Sequence, residues 1–422
     1  MGRIKPERRT RTDLIVTALI VVAVVVAGVA VWWTSSARHS DLQTATERAP
    51  VQLPAENVPR TLAVKWSAKS DVTSVPQITR DSVMSAADGT VTAHRADNGA
   101  QVWRYHRDLP LCAAAAGWQG GDNSVVTVYR NDRGCSEVTA LRGVDGGRHG
   151  ARTSDADDSV DLSIGADYAL LYGPTRLETW GSNLVRGIEY GRVDAPVNPD
   201  VGPGRTGCRL YSALSGADRV ALVERCDGDH GYRLSVFSAD QTSDEKIRQW
   251  GTTMITTSAK GPAPRVIAAT DSTIAVYDGG VDPTGTVGGP TGPRIRLFTA
   301  QAESAGEHPV AGDPGAPERS RPIVDQGVIS FWTGKATVVL NANNGSPLFQ
   351  VADAIGPGAV MAGQLLVPMP GVISVRRAYD GHEEFTIPVD RGDQVRPVSL
   401  RVLGDTIIEQ RGTDVVALGA AD

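Results

Sequence analysis

The stretch DGTVTAHRADNGAQVW, residues 88–103, carries the clearest structural signal in the chain. A run of alternating polarity leads into Asp97-Asn98-Gly99, and a second short run ends at Trp103. Alternation is the pattern of a half-buried β-strand. Asn-Gly between two such runs closes a hairpin, because both residues tolerate positive φ. A lone hairpin is marginal in water, so this one needs neighbours.

The neighbours are visible as repeats. From Val91 the turn glycine, Gly99, comes eight residues later, in VTAHRADNG. The same offset recurs in VTALRGVDG ending at Gly146, TVVLNANNG ending at Gly345 and ISVRRAYDG ending at Gly381. Four residues beyond the glycine stand Trp103 in the first copy, Phe349 in the third and Phe385 in the fourth. Weaker copies occupy residues 176–187, 232–241 and 294–303, so successive units lie roughly 37 to 60 residues apart. A four-stranded propeller blade takes about 40–50 residues, and loop insertions account for the spread. Residues 401–409 and 413–418 supply a last hairpin, to which residues 62–67 (LAVKWS) add an outer strand that closes the ring. The expected fold is all-β: a β-propeller of about eight four-stranded blades, or seven if the weak third unit merges with its neighbours.

The N-terminus stands apart from this pattern. Residues 14–33 (LIVTALIVVAVVVAGVAVWW) carry no charge, and twenty such residues suffice to cross a bilayer as a helix. The run is too long for a signal-peptide core and no clean A-x-A cleavage site follows it. Trp32 and Trp33 stand where amphipathic rings favour the membrane interface. Arg3, Lys5, Arg8, Arg9 and Arg11 outnumber Glu7 and Asp13 before it, which predicts a cytoplasmic N-terminus. The expected organisation is a cytoplasmic tail (1–13), a transmembrane helix (14–33), a polar, proline-containing stalk (34–60) and an extracytoplasmic propeller (61–422).

Removing that basic tail leaves the remainder three units more negative than the whole-chain −6, which argues against a nucleic-acid partner. All four cysteines, Cys112, Cys135, Cys208 and Cys226, follow the apolar segment. An even number in an oxidising compartment predicts two disulfides. Proximity favours Cys112–Cys135 and Cys208–Cys226 among three possible connectivities. No CxxC or His spacing points to zinc, and no metal or cofactor is expected.

The pattern at 88–103 resembles the repeat of the quinoprotein-type (PQQ-like) β-propellers. By that resemblance Trp103 packs between adjacent blades. A composition rich in Ala, Val, Gly, Asp and Arg, with little Lys, looks actinobacterial. The layout is similar to that of mycobacterial membrane-anchored propellers implicated in polar growth and trehalose monomycolate transport. The resemblance implies an envelope membrane protein such as a lipid transporter as partner, and a glycolipid as a possible ligand.

Enzyme readings find little support in the residues. PQQ-dependent alcohol dehydrogenases carry a vicinal disulfide, and this chain has no Cys-Cys pair. Asp155, Asp157, Asp158 and Asp161 alternate as in calcium loops but lack the glycine and distal glutamate of an EF-hand, so a solvated inter-blade loop is expected. No G-x-S-x-G elbow exists, and His230 and His382 sit in turn-like contexts. Residues 278–293 read as a loop insertion, with a cover over one propeller face as the alternative. Trp118, Trp180, Trp250 and Trp332 are expected in blade packing. The expected function is therefore non-enzymatic: a membrane-anchored binding factor or scaffold for envelope assembly. A quinoprotein dehydrogenase and a sensor or adhesin-like ectodomain are the alternatives.

Overall fold

The computed structural model describes residues 10–35, 38–119, 123–193, 202–242, 245–255, 262–280, 292–393 and 397–421. Most of the expected cytoplasmic tail and of the expected loop insertion at 278–293 lies outside these residues.

The described residues form one helix and eight antiparallel sheets. The helix, Arg11–Thr34, has no buried residue, and its most apolar 18-residue window has a mean hydropathy of 3.1. It is long and apolar enough to cross a bilayer. Each sheet is one propeller blade. Blade 1 is built from Gln77–Ile78, Ser82–Ala87, Thr90–Arg95 and Gln101–Arg107, and blade 2 begins with Leu111–Gly117. Blades 3 to 7 begin with Asp161–Ile164, Arg209–Ser215, Arg265–Ala269, Ile323–Asp325 and Ala359–Met361. Blade 8 takes Val398–Leu403, Thr406–Arg411 and Asp414–Ala420 from the C-terminus and Leu62–Lys69 from the N-terminal side. That last strand pairs from Leu62 opposite Ala420 to Lys69 opposite Asp414. The ring is therefore closed by hydrogen bonds between the two ends of the domain.

The core is distributed over eight seams. Each apolar cluster joins two successive blades: Met84, Val91 and Trp103 of blade 1 meet Val125, Tyr129 and Leu141 of blade 2. At the closing seam Ile408 and Val415 of blade 8 meet Val83 and Ala96 of blade 1. A middle strand thus has a neighbour on both faces and is buried throughout, as in Val328–Trp332. An outer strand keeps the in–out alternation, as in Pro347–Ala352.

The turn glycines have a specific partner across these seams. Gly146 of blade 2 has φ +75°, and a Cβ there would lie 2.8 Å from the Trp103 ring of blade 1. Gly99 stands in the same way over Trp66 of blade 8, at 2.6 Å, and Gly381 over Phe349, at 2.5 Å. Gly345 faces the smaller Thr273, at 3.3 Å. Trp103 Nε1 donates to the Gly143 carbonyl (2.6 Å) and Trp66 Nε1 to the Ala96 carbonyl (2.8 Å), in each case three residues before the turn glycine. Phe385, the outer aromatic of blade 7, is half-buried under the Arg60 guanidinium, 3.5 Å from its ring centre.

His94, inside the opening stretch, bonds Ser85 Oγ (2.8 Å) and the Gly99 carbonyl (3.0 Å) and lies against Trp66. Burial lowers its pKa below the ordinary 6.5, and the Gly99 carbonyl offsets this in part. The unfolded chain then binds the proton more readily, so stability rises with pH between the lowered folded value and 6.5. Acidification below that point is expected to lower the urea midpoint of the native protein more than that of His94→Gln. Equal losses between pH 7.5 and 5.5 would exclude the group.

The segment expected to be a stalk differs from that reading. Ser40–Gln43 pairs with Gln101–Arg107 and makes blade 1 five-stranded. Beyond it the chain straps one face of the ring. Ala45 N donates to the Asp145 carbonyl of blade 2 (3.0 Å) and Gln52 N to the Arg80 carbonyl of blade 1 (3.0 Å). Val58 is buried in the seam of blades 7 and 8. The irregular spacing of its apolar residues, Ala45, Ala49, Val51, Leu53, Ala55 and Val58, hides this docking from any periodicity test.

Candidate functional site

The first strand of every blade faces the ring axis, and together these strands enclose a channel of about 1320 Å³. That exceeds the ~300–1,000 Å³ of ordinary small-molecule pockets. Much of its wall is aliphatic, with the run Ala113–Ala116 on blade 2 and Leu162, Ile164, Ala213, Val266 and Val402 on others. Val51, Leu53 and Val324 also line it while remaining 54%, 79% and 58% exposed. Apolar side chains thus face open space inside the ring.

Among the described residues six charged side chains interrupt this wall: Arg80, Asp161, Arg265, Arg321, Asp325 and Arg401. Four arginines against two aspartates give these lining residues a net +2, inside a chain of net charge −6. Strand direction sorts these residues between the mouths. First strands run from the inter-blade connections towards the face that carries the turn glycines. The strap and Arg80 are on that glycine face; Asp161, Arg265 and Arg321, near the starts of their strands, are at the other. Ser40 pairs with Arg107, the last residue of its strand, so the N-terminal helix joins the ring on this second face.

At that mouth Arg321 Nη2 donates to Asp161 Oδ1 (2.5 Å), joining blades 6 and 3. Burial weakens the Arg321 charge, but Asp161 outweighs it and holds the pKa above the ordinary range. Tyr172, at the end of the strand beside Asp161, has its pKa raised by burial and then by that carboxylate. Arg265 is different. Its side chain makes no hydrogen bond or ion pair with a described residue, and burial followed by the like charge of Arg321 lowers its pKa against the opposing pull of Tyr172, Asp161 and Glu318. A guanidinium remains protonated regardless. Further along, Arg401 Nη1 donates to the Val324 carbonyl (2.6 Å), and Asp325, raised by burial, accepts from Val360 N (2.8 Å).

No protein-family model matches the sequence, and comparison with curated proteins finds no match. Solved structures do match. BamB from Moraxella catarrhalis is 12% identical, with a TM-score of 0.50 over 85% of this chain and 98% of that one. The computationally designed Ika8 protein is also 12% identical, with a TM-score of 0.53 over 89% of this chain and 100% of the design. Likeness at this identity shows the propeller fold and nothing more.

The cysteines form the two local bridges. Cys112–Cys135 ties the first strand of blade 2 to its third, and Cys208–Cys226 brackets the first hairpin of blade 4. Glu224 lies beside the second bridge. Its sulfurs are bonded to each other and its carboxylate accepts from Tyr190 Oη (2.7 Å), Ser235 Oγ (2.6 Å) and Arg205. These atoms are therefore committed to structure.

The acidic run 155–161 is the expected inter-blade connection, exposed at Asp158 and Ser159, but it is solvated only in part. Asp157 accepts from Thr175 N (2.8 Å) and Arg176 N (3.1 Å), Asp155 pairs with Arg133, and Asp161 enters the channel. Trp180 and Trp332 are buried, and Trp118 and Trp250 pack, partly buried, against the seams of blades 2 and 3 and of blades 4 and 5, as expected; Trp118 also lines the channel, with φ +52°, and Trp250 lies between Arg219 and Arg248. Sequence reasoning missed Arg265 and Arg321. The one available signal is an arginine heading an apolar run directly after a proline-rich connection, as in Pro264-Arg265-Val266-Ile267.

Proposed function

We propose that this protein is a non-enzymatic propeller of the cell envelope, anchored by its N-terminal helix, that binds envelope components in or around its central channel. The observation that carries this reading is the joining of an apolar 24-residue helix to a closed ring with an open channel. Two disulfides suit an oxidising compartment outside the cytoplasm. Only residues 35–39 separate the helix from the first docked strand, which limits the gap to roughly 20 Å at ~3.3–3.6 Å per residue. The ring is thereby held near the membrane surface. The finer reading, a part in glycolipid (trehalose monomycolate) transport and polar growth beside a membrane lipid transporter, rests on the similarity of layout, and the quinoprotein-type repeat at 88–103 supports it only through the fold.

Fractionation tests the reading. The full chain is expected to pellet with membranes and resist alkaline extraction, while a variant lacking residues 11–34 becomes soluble. Affinity capture from native membranes should then enrich defined envelope proteins or lipids with the anchored form. Recovery of the native chain as a soluble product cleaved after the apolar segment would exclude the anchored scaffold.

A further inference from the structure

The geometry points to a binding site for a single-chain anionic amphiphile within the channel, its head group held by Arg265 and Arg321 and its aliphatic chain laid along the alanine-rich wall. The inference is separate from the scaffold reading, since a ring that holds no amphiphile can still dock a protein.

Three features specify the ligand. The first is a guanidinium without a bonded acceptor: the Arg265 side chain lines the channel mouth and makes no hydrogen bond or ion pair with a described residue, while its neighbour Arg321 already holds Asp161. Of these two guanidinium groups only Arg321 is bonded to Asp161, and the carboxylate of the exposed Glu318 acts on both only through space, so the Arg265 fork is left without a bonded acceptor in a partly desolvated place, where an anion gains most. Arginine presents a fork that fits a carboxylate or a phosphate in a bidentate manner. The second is the wall beyond this mouth, where Ala113–Ala116, Leu162 and Ile164 offer aliphatic contact but few donors. Val324 and, at the far mouth, Val51 and Leu53 stay exposed to the lumen, and covering such side chains is favourable by the area removed from water. A small hydrophilic anion would use the arginines and leave this wall wet. A neutral lipid would use the wall and leave Arg265 unpaired. The third is position. The cationic mouth opens on the face where the N-terminal helix joins the ring, so the nearest reservoir of amphiphiles faces the charged end.

Photolabelling of the full chain in membranes tests this, using dodecanoate with a diazirine at the chain end. Labelled peptides are expected in the first strands of blades 2 and 3. Competition by unlabelled dodecanoate and by dodecyl phosphate is expected to remove the label, with the stronger of the two identifying the head group. Dodecyl maltoside and inorganic phosphate at equal concentration are expected to leave it. Arg265→Gln should lower labelling about tenfold, the weight of one charge-assisted hydrogen bond, and Arg265→Lys should restore much of it at an unchanged unfolding midpoint. Label confined to residues 11–34, or equal competition by the maltoside, overturns the proposal on the native protein alone, whether or not either variant folds. Neither result touches the membrane fractionation or protein capture on which the scaffold reading stands.

Discussion

Trp103→Ala is expected to lower the unfolding free energy by about 3–5 kcal/mol, the range for large aromatic truncations in a packed core. Trp103 is fully buried, in contact with Gly146 of the next blade, and its indole N–H satisfies the Gly143 carbonyl. Truncation therefore opens a cavity at a seam and removes that carbonyl's donor in one step. Trp103→Phe separates the two terms. It keeps most of the ring burial and loses only the hydrogen bond, so about 1–3 kcal/mol is expected. Trp66 occupies the matching place at the closing seam but is only half-buried, so Trp66→Ala should cost less than Trp103→Ala. Urea denaturation of the three variants checks the order. A loss under about 1 kcal/mol for Trp103→Ala would place the residue among ordinary surface substitutions and remove its role between blades.

The reason this seam could be read from sequence is geometric. A turn that needs positive φ and presses its backbone on a neighbouring ring admits glycine almost alone, so the requirement repeats at a fixed offset wherever the seam repeats. Gly99, Gly146 and Gly381 all meet an aromatic of the preceding blade, and two of these aromatics, Trp103 and Phe349, follow the glycine of their own blade by four residues, whereas Trp66 stands in the ring-closing strand, with no such glycine before it. Blade number and ring closure by residues 62–67 followed from that periodicity. The strap over 45–58 did not, because its contacts are single apolar residues at irregular intervals. The cationic channel mouth did not either. Asp161, Arg265 and Arg321 lie in three separate blades, and only closure of the ring brings their first strands around one axis.

Buried acids within the strands were equally hidden, and one of them supports the second large effect. Glu409→Gln is expected to destabilise the protein by about 3–5 kcal/mol, because it leaves two buried guanidinium groups without their counter-charge. Glu409 is fully buried in blade 8 and accepts from Arg391 Nη2 (2.8 Å) and Arg411 Nε (2.6 Å). Arg391 is also buried, and its Nη1 donates to the Met369 (2.8 Å) and Val372 (3.2 Å) carbonyls of blade 7. The carboxylate thus orients an arginine that clasps the next blade. An apolar replacement of all three side chains removes the stranded charges, and on that ground alone would be close to neutral. Here it cannot be fully neutral, since the two blade 7 carbonyls lose their donor and each unmet buried acceptor costs about 1–3 kcal/mol. The triple variant Glu409→Met, Arg391→Met, Arg411→Leu should therefore be at least as stable as Glu409→Gln yet remain below the native protein. Thermal and urea unfolding of both variants measure this order directly. A triple variant less stable than Glu409→Gln would mean that the clasp on the blade 7 carbonyls, rather than charge balance, dominates this seam.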